Sequence, residues 1–127
     1  MDYAEYPWPG DFPDFVPPAD ATPAEGEAFR LVVNDPPVPK DFVGHNQEPH
    51  KKKGVKLKAN DFGTSMYRDL QQAIICREFH VALNSKKIAK GTLQPFYGKI
   101  STPNKKTHFE AWLRLRTGIE QNFKVIK

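Results

Sequence analysis

The chain has 127 residues, of which 39% are hydrophobic and 12% aromatic, and this suits one small domain with a modest core. No apolar run approaches the roughly 18 residues of a membrane span, and the N-terminus lacks the basic start and apolar run of a signal peptide. We therefore expect a cytoplasmic protein that does not engage a membrane. The single cysteine, Cys76, excludes an intramolecular disulfide framework.

Charge and proline divide the chain into two unlike halves. Residues 1–50 carry ten acidic and two basic side chains, whereas residues 51–127 carry five acidic and seventeen basic ones. Ten of the twelve prolines also lie in the first half, where they disfavour helices and interrupt strand ladders. The net charge of +4 is therefore the sum of an acidic, proline-rich segment and a basic one.

Residues 1–27 are predicted to form an acidic extended arm, with seven acidic side chains and no lysine or arginine. A tail that only solvates has few aromatic rings, because it gains nothing by burying them. Five rings in this arm therefore predict contact with a surface, either a partner or this chain's own body, on which the arm would act as an internal lid. The rings are those of Tyr3, Tyr6, Trp8, Phe12 and Phe15.

Residues 28–127 are predicted to form one small α+β domain, with one main helix on a small antiparallel sheet. The β-prone apolar run at 28–33 predicts the first strand. Apolar residues at spacings of three and four predict a helix over 66–78, and Ser65 is a favourable N-cap for it.

The remaining apolar runs are short and separated by turn residues. Those at 79–83, 88–93 and 96–100 predict antiparallel strands of a meander. The run at 123–126 predicts a last edge strand, and a further short edge piece is predicted at 40–44.

Segment 107–116 has two interpretations. Its apolar and polar residues alternate, which is strand periodicity, and we favour the strand. Thr107 and Glu110 also have the spacing of a helix-capping box, with Gly118 as a stop. In the helical alternative Glu110 only completes the capping box.

Common catalytic and metal-binding motifs are absent from the sequence. It has no glycine-rich phosphate loop, zinc-protease motif or nucleophile elbow. The four histidines have no spacing typical of a metal site, so no metal and no cofactor is expected. Cys76 follows two isoleucines of the predicted helix, which indicates a buried, inert thiol.

Three short patches occur in the order of the Arg, Ser-Thr-Ser and Glu motifs of ADP-ribosyltransferases. They are Arg30, Gly63-Thr64-Ser65 and His108-Phe109-Glu110, and in this respect the chain resembles that class. The resemblance implies that Arg30 and Ser65 hold the phosphate and nicotinamide-ribose region of NAD, while Glu110 polarises the ribose hydroxyl as the glycosidic bond breaks. The chain departs from the pattern at Gly63, where the class usually has serine, and at His108, where many members have Glu or Gln.

Lysines and arginines recur at the predicted turns and strand edges of the basic half. Phosphate binding needs a positive surface of this kind, and an acidic protein surface is the competing partner. The residues are Lys51, Lys52, Lys53, Lys56, Lys58, Lys86, Lys87, Lys90, Lys105, Lys106, Arg114 and Arg116.

We therefore expect a small non-enzymatic binding or accessory module, whose basic body engages nucleic acid or an acidic protein and whose arm is a second contact or lid. The chain also resembles a loose set of small uncharacterised bacterial open reading frames, which implies a bacterial or phage source but no activity. The alternative is a reduced ADP-ribosyltransferase-like enzyme, or an inactive NAD-binding relative. Convergence of Arg30, Ser65 and Glu110 in one cleft favours this alternative, and their dispersal removes it.

Overall fold

A computed structural model of the protein describes residues 3, 5–47 and 57–127. These residues form an antiparallel sheet of seven strands, one main helix and one short helix, so the α+β prediction is confirmed. The strands are β1 (Thr22–Pro23), β2 (Gly26–Val32), β3 (Thr64–Tyr67), β4 (Lys87–Leu93), β5 (Gly98–Ile100), β6 (His108–Leu113) and β7 (Lys124–Val125), and the helices are α1 (Leu70–Phe79) and α2 (Ile119–Asn122). Across the sheet the strand order is β1-β5-β6-β3-β2-β4-β7.

One face of the sheet carries the main core. Successive side chains of a strand point to opposite faces, so every second residue of the central strands contributes to it. Met66 of β3 is paired with Phe109 of β6, and both are almost fully buried. The other large members of this core include Val32, Phe42, Tyr97 and Phe123.

The second face carries two separate apolar clusters with polar residues between them. On the β2 and β4 side, Phe29, Leu31 and Ile88 pack with Ala73 of α1. On the β6 side, Trp112 packs with Phe62 and Val16, joined by rings of the N-terminal arm. Polar residues lie between these clusters. They are the residues of β3 and of the start of β6 that point to the second face.

The N-terminal arm lies on this chain's own body. Trp8 stacks on Phe12 with ring centroids 6.0 Å apart, and Phe12 meets the Phe62 ring edge-on at 5.9 Å. The guanidinium of Arg114 lies 4.1 Å from the Trp8 ring centroid. Phe15 is 55% exposed, whereas the other four rings of the arm are half-buried. The end of the arm enters the sheet as β1.

The main helix begins later than the sequence pattern predicted. The helix expected over 66–78 is observed at Leu70–Phe79, with Asp69 rather than Ser65 at the N-cap. Thr64–Tyr67 forms a strand instead, because its pairing with β6 satisfies the backbone hydrogen bonds and places its first and third side chains in the main core. The helical spacing of the following residues concealed this strand.

Several other predicted elements are confirmed or corrected by the structure. The strand interpretation of 107–116 is confirmed by β6, and the edge strand at the end of the chain by β7. The strand expected at 79–83 is wrong, since Val81–Leu83 forms a 3-10 turn in which Val81 is 88% exposed. The edge piece expected at 40–44 is also wrong, because Pro39–Phe42 is a 3-10 turn. Among the residues described, no helix has the length and apolar character needed to span a membrane.

The packing of the arm predicts an unequal effect of two aromatic truncations. Trp8→Ala removes a ring that contacts both Phe12 and Arg114, so we expect the free energy of unfolding to fall by about 2 kcal/mol, less than for a fully buried ring. Phe15→Ala is the matched control and should change it by less than about 0.5 kcal/mol, since this ring is largely exposed. Urea unfolding followed by circular dichroism measures both. Equal effects would contradict the observed attachment of the arm.

Candidate functional site

A cleft of about 360 Å³ opens on the second face of the sheet, between the two apolar clusters. Its volume lies within the range of small-molecule sites. The residues with polar or ionisable side chains that line it are Arg30, His45, Ser65, Tyr67, Cys76, His80, Lys86, His108 and Glu110. Arg30, Ser65 and Glu110, which stand far apart in the sequence, are therefore brought together here.

The register of β3 against β6 positions four of these side chains. Ser65 is paired directly with Glu110, and Tyr67 with His108. Residues paired in this way point to the same face, with Cβ atoms about 4.5–5.5 Å apart. The four polar side chains therefore form a compact group in the cleft.

Glu110 is the buried centre of this group, with a side chain only 9% exposed. Nε2 of His45 lies 2.9 Å from its Oε1, and Nε2 of His108 lies 3.5 Å from its Oε2. Burial of a carboxylate without partners is costly. The two imidazoles supply the polar contacts that allow Glu110 to occupy the interior of a strand.

Ser65 contacts His108, but these residues do not form a serine-protease triad. The Ser65 hydroxyl is hydrogen-bonded to Nε2 of His108, and Glu110 faces that same nitrogen. In a triad the acid binds the other ring nitrogen, leaving Nε2 for the serine. Glu110 therefore does not orient His108 in the way that the acid of a triad does.

Arg30 is buried in the wall of the cleft and links three segments of the chain. Its Nε donates to the carbonyl of Asp41 and its Nη1 to the carbonyl of Ser65, both at 3.0 Å. Strands β2 and β3 are paired at Phe29 and Tyr67. The hydrogen bond from the Arg30 guanidinium to the Ser65 carbonyl adds a second connection between these two strands. Arg30 therefore supports the wall of the cleft by connecting β2 to β3 and to the segment at Asp41.

Gly63 lies against the carboxylate of Glu110. A Cβ atom at Gly63 would stand 2.7 Å from Oε1 of Glu110, far inside van der Waals contact. The Gly63 carbonyl also accepts the backbone N–H of His45 at 3.0 Å. This close approach is the physical reason why position 63 is a glycine.

Burial shifts the pKa values of two residues in the cleft. Burial and the neighbouring His45 lower the pKa of His108 below its ordinary value, although the charge of Glu110 opposes the shift. Burial, followed by a hydrogen bond with Cys76 and the charge of Glu110, raises the pKa of the Tyr67 phenol. At neutral pH His108 is thus predominantly uncharged, and Tyr67 keeps its proton.

His45 and Tyr67 are cleft residues that the sequence analysis did not assign. Tyr67 lies in β3, where side chains alternate between the two faces of the sheet. The sequence pattern predicted a helix at this residue, so the alternation was not recognised. His45 lies in a 3-10 turn, His45–Gln47, and meets Glu110 from 65 positions away in the sequence. No local pattern signals such a long-range contact.

The described basic residues are distributed over several parts of the surface. Lys105 and Lys106 precede β6 whereas Arg114 and Arg116 follow it, which places the two pairs at opposite ends of that strand. Lys58, Lys90, Lys105, Lys106 and Arg116 are exposed, Lys86, Lys87 and Arg114 are half-buried, and Lys51, Lys52, Lys53 and Lys56 lie outside the described residues. Lys86 lines the small cleft.

A larger cleft of about 570 Å³ lies on the other side of the loop at 43–47, between the arm and residues 113–121. Its lining is largely apolar, with cations at Lys40, Arg114 and Arg116, and includes no histidine among the described residues. The paired carboxylate and imidazoles lie in the smaller cleft, which we take as the candidate site. In the described part of the chain, no cluster of three or more His, Cys, Asp or Glu side chains is suited to a metal ion.

Comparisons with protein-family models, curated proteins and solved structures gave no match. We therefore infer function from the chemistry of the cleft and from the order of its three motifs.

The lowered pKa of His108 predicts a pH dependence of stability. Unfolding restores the ordinary pKa of about 6.5, so as the pH falls through this value the unfolded chain binds a proton that the folded chain binds only at lower pH. The free energy of unfolding should therefore decrease on acidification from about pH 7.5 to about pH 5.

Urea unfolding across this range tests the prediction. His108→Gln should make the decrease shallower, because glutamine does not titrate. Gln71→Ala, at an exposed position of α1, is the control: it changes no titrating group and should leave the slope unchanged. If the free energy of unfolding changes with pH to the same extent in the original protein and in His108→Gln, His108 is not the group responsible for the decrease.

Proposed function

We propose that the protein is an ADP-ribosyltransferase-like enzyme, which binds NAD in the small cleft and breaks the bond between nicotinamide and ribose. One observation carries the proposal. Arg30, Ser65 and Glu110, which resemble the three motifs of that class, line a single cleft, and Ser65 is paired directly with Glu110.

The chemistry of this reaction suits a buried carboxylate. As the C1′–N bond breaks, its electron pair leaves with nicotinamide, which departs as a neutral ring, and positive charge develops on the ribose. In this proposal Glu110 accepts a hydrogen bond from a ribose hydroxyl and stabilises that charge, and its burial strengthens the interaction. A water molecule that then bonds to C1′ and loses a proton gives ADP-ribose.

The surrounding groups suit the other parts of the ligand. Arg30 and Lys86 both line the cleft and supply positive charge for a phosphate-bearing ligand. The uncharged His108 imidazole and the protonated Tyr67 phenol offer hydrogen bonds to the ligand, and the proton that the attacking water loses passes to solvent.

The non-enzymatic binding module stays a prediction. Its basic residues are spread over opposite ends of β6, and Arg114 is engaged by the arm through the Tyr6 carbonyl at 3.0 Å. Four of its lysines lie outside the described residues. The cleft gives the enzyme the more specific geometric support.

The first test of the proposal is ligand binding. NAD at millimolar concentration should raise the Tm of the full chain, because a ligand that binds only the folded state stabilises it by mass action. Prolonged incubation should release nicotinamide, measured by chromatography. If NAD gives neither a thermal shift nor nicotinamide, while single-stranded oligonucleotides bind with a steep salt dependence, the enzyme is excluded in favour of the basic binding module.

The second test separates binding from catalysis. Glu110→Gln keeps the size of the side chain but removes the charge, so it should retain the NAD-induced rise in Tm while lowering nicotinamide release by about 100-fold or more. Glu78→Gln is the matched control, because Glu78 is an exposed acid on α1. It should release nicotinamide at the original rate. A Glu110→Gln variant with undiminished turnover would refute the role of this carboxylate.

A further inference from the structure

The N-terminal arm is fastened to the body on both sides of a short stretch that follows Tyr6. At one side Arg114 binds the Tyr6 carbonyl and contacts the Trp8 ring, and the Leu115 N–H donates to the Pro7 carbonyl at 2.8 Å. At the other side the Phe12 ring packs into the apolar cluster of the β6 side. Asp11, which immediately precedes Phe12, is therefore held at a fixed place on the surface.

Asp11 binds the loop at 43–47, which separates the two clefts. Its Oδ2 accepts hydrogen bonds from Nδ2 of Asn46 and Nε2 of Gln47, both at 2.8 Å. Hydrogen bonds to an ionised acceptor are stronger than those between neutral groups. One carboxylate of the arm thus holds two successive side chains of the loop.

The same loop carries His45 into the candidate site. His45 donates its backbone N–H to the Gly63 carbonyl at 3.0 Å, and its Nε2 lies 2.9 Å from Oε1 of Glu110. The loop is closely packed at this point, since a Cβ atom at Gly44 would stand 2.5 Å from the Phe62 carbonyl oxygen. A small displacement of the loop would therefore alter the contact between His45 and Glu110.

We propose that Asp11 is a positioning residue, which holds the loop at 43–47 so that the His45 imidazole stays against Glu110. The arm then acts as a structural part of the cleft, although none of its described residues lines it. A side chain that carries out chemistry is oriented by contacts beyond it, and these contacts decide how well its geometry is held. The consequence for catalysis rests on the proposed enzyme activity, whereas the effect on His45 does not.

The exposure of His45 to a chemical reagent measures this positioning directly. Diethyl pyrocarbonate acylates accessible imidazole nitrogens, and the His45 side chain is only 19% exposed. In the full chain, mass spectrometry should show His45 reacting more slowly than the exposed His80. Asp11→Ala should raise the rate at His45 several-fold relative to His80, with little change in Tm because Asp11 itself is exposed.

Two further variants test whether the acylation rate at His45 depends on the hydrogen bonds of Asp11. Gln47→Ala removes one of the two hydrogen bonds to Asp11, so it should raise the His45 rate by a smaller factor than Asp11→Ala. Asp14→Ala is the matched control, because Asp14 is an exposed acid of the same arm with no hydrogen bond or ion pair to the residues described. It should leave the rate unchanged.

The result distinguishes this proposal from the proposed function. Faster His45 acylation in Asp11→Ala, together with slower nicotinamide release at unchanged NAD binding, supports both. Faster acylation in a protein that never releases nicotinamide supports the positioning role and refutes the enzyme. An unchanged His45 rate in Asp11→Ala, or an equal increase in Asp14→Ala, overturns the positioning role whatever the activity.

Discussion

The pairing of β3 with β6 is the interaction on which the cleft depends. It sets Ser65 opposite Glu110 on one face and Met66 opposite Phe109 on the other. A shift of one residue in this register would exchange the faces and expose two side chains that are almost fully buried in the main core. The apolar residues of the core therefore determine where the polar residues of the site stand.

The position of Glu110 imposes a second constraint, because a carboxylate in the interior of a strand needs polar partners. His108 comes from its own strand, while His45 arrives on a separate loop. A buried polar group of this kind contributes little to stability for its size.

Local sequence patterns predicted the fold class, but they did not predict all the residues that make up the site. Alternation over β6 predicted a strand, and that assignment placed Glu110 on a sheet face. The same reasoning failed at Thr64–Tyr67, because its residues fit helical spacing and only pairing with a distant strand resolves the choice. Arg30, Ser65 and Glu110 were grouped through a resemblance. His45 joined them only through tertiary contacts, which no local sequence pattern encodes.

The two outer strands of the sheet have a consequence for behaviour at high concentration. An exposed strand edge offers unpaired N–H and C=O groups to any other chain, and long flat edges promote aggregation. Here both edges are only two residues long, β1 at Thr22–Pro23 and β7 at Lys124–Val125. Proline lacks the N–H that would extend a ladder, and the lysine charge disfavours the approach of a like edge. In the described part of the chain, the two outermost strands are therefore poor templates for intermolecular β-pairing.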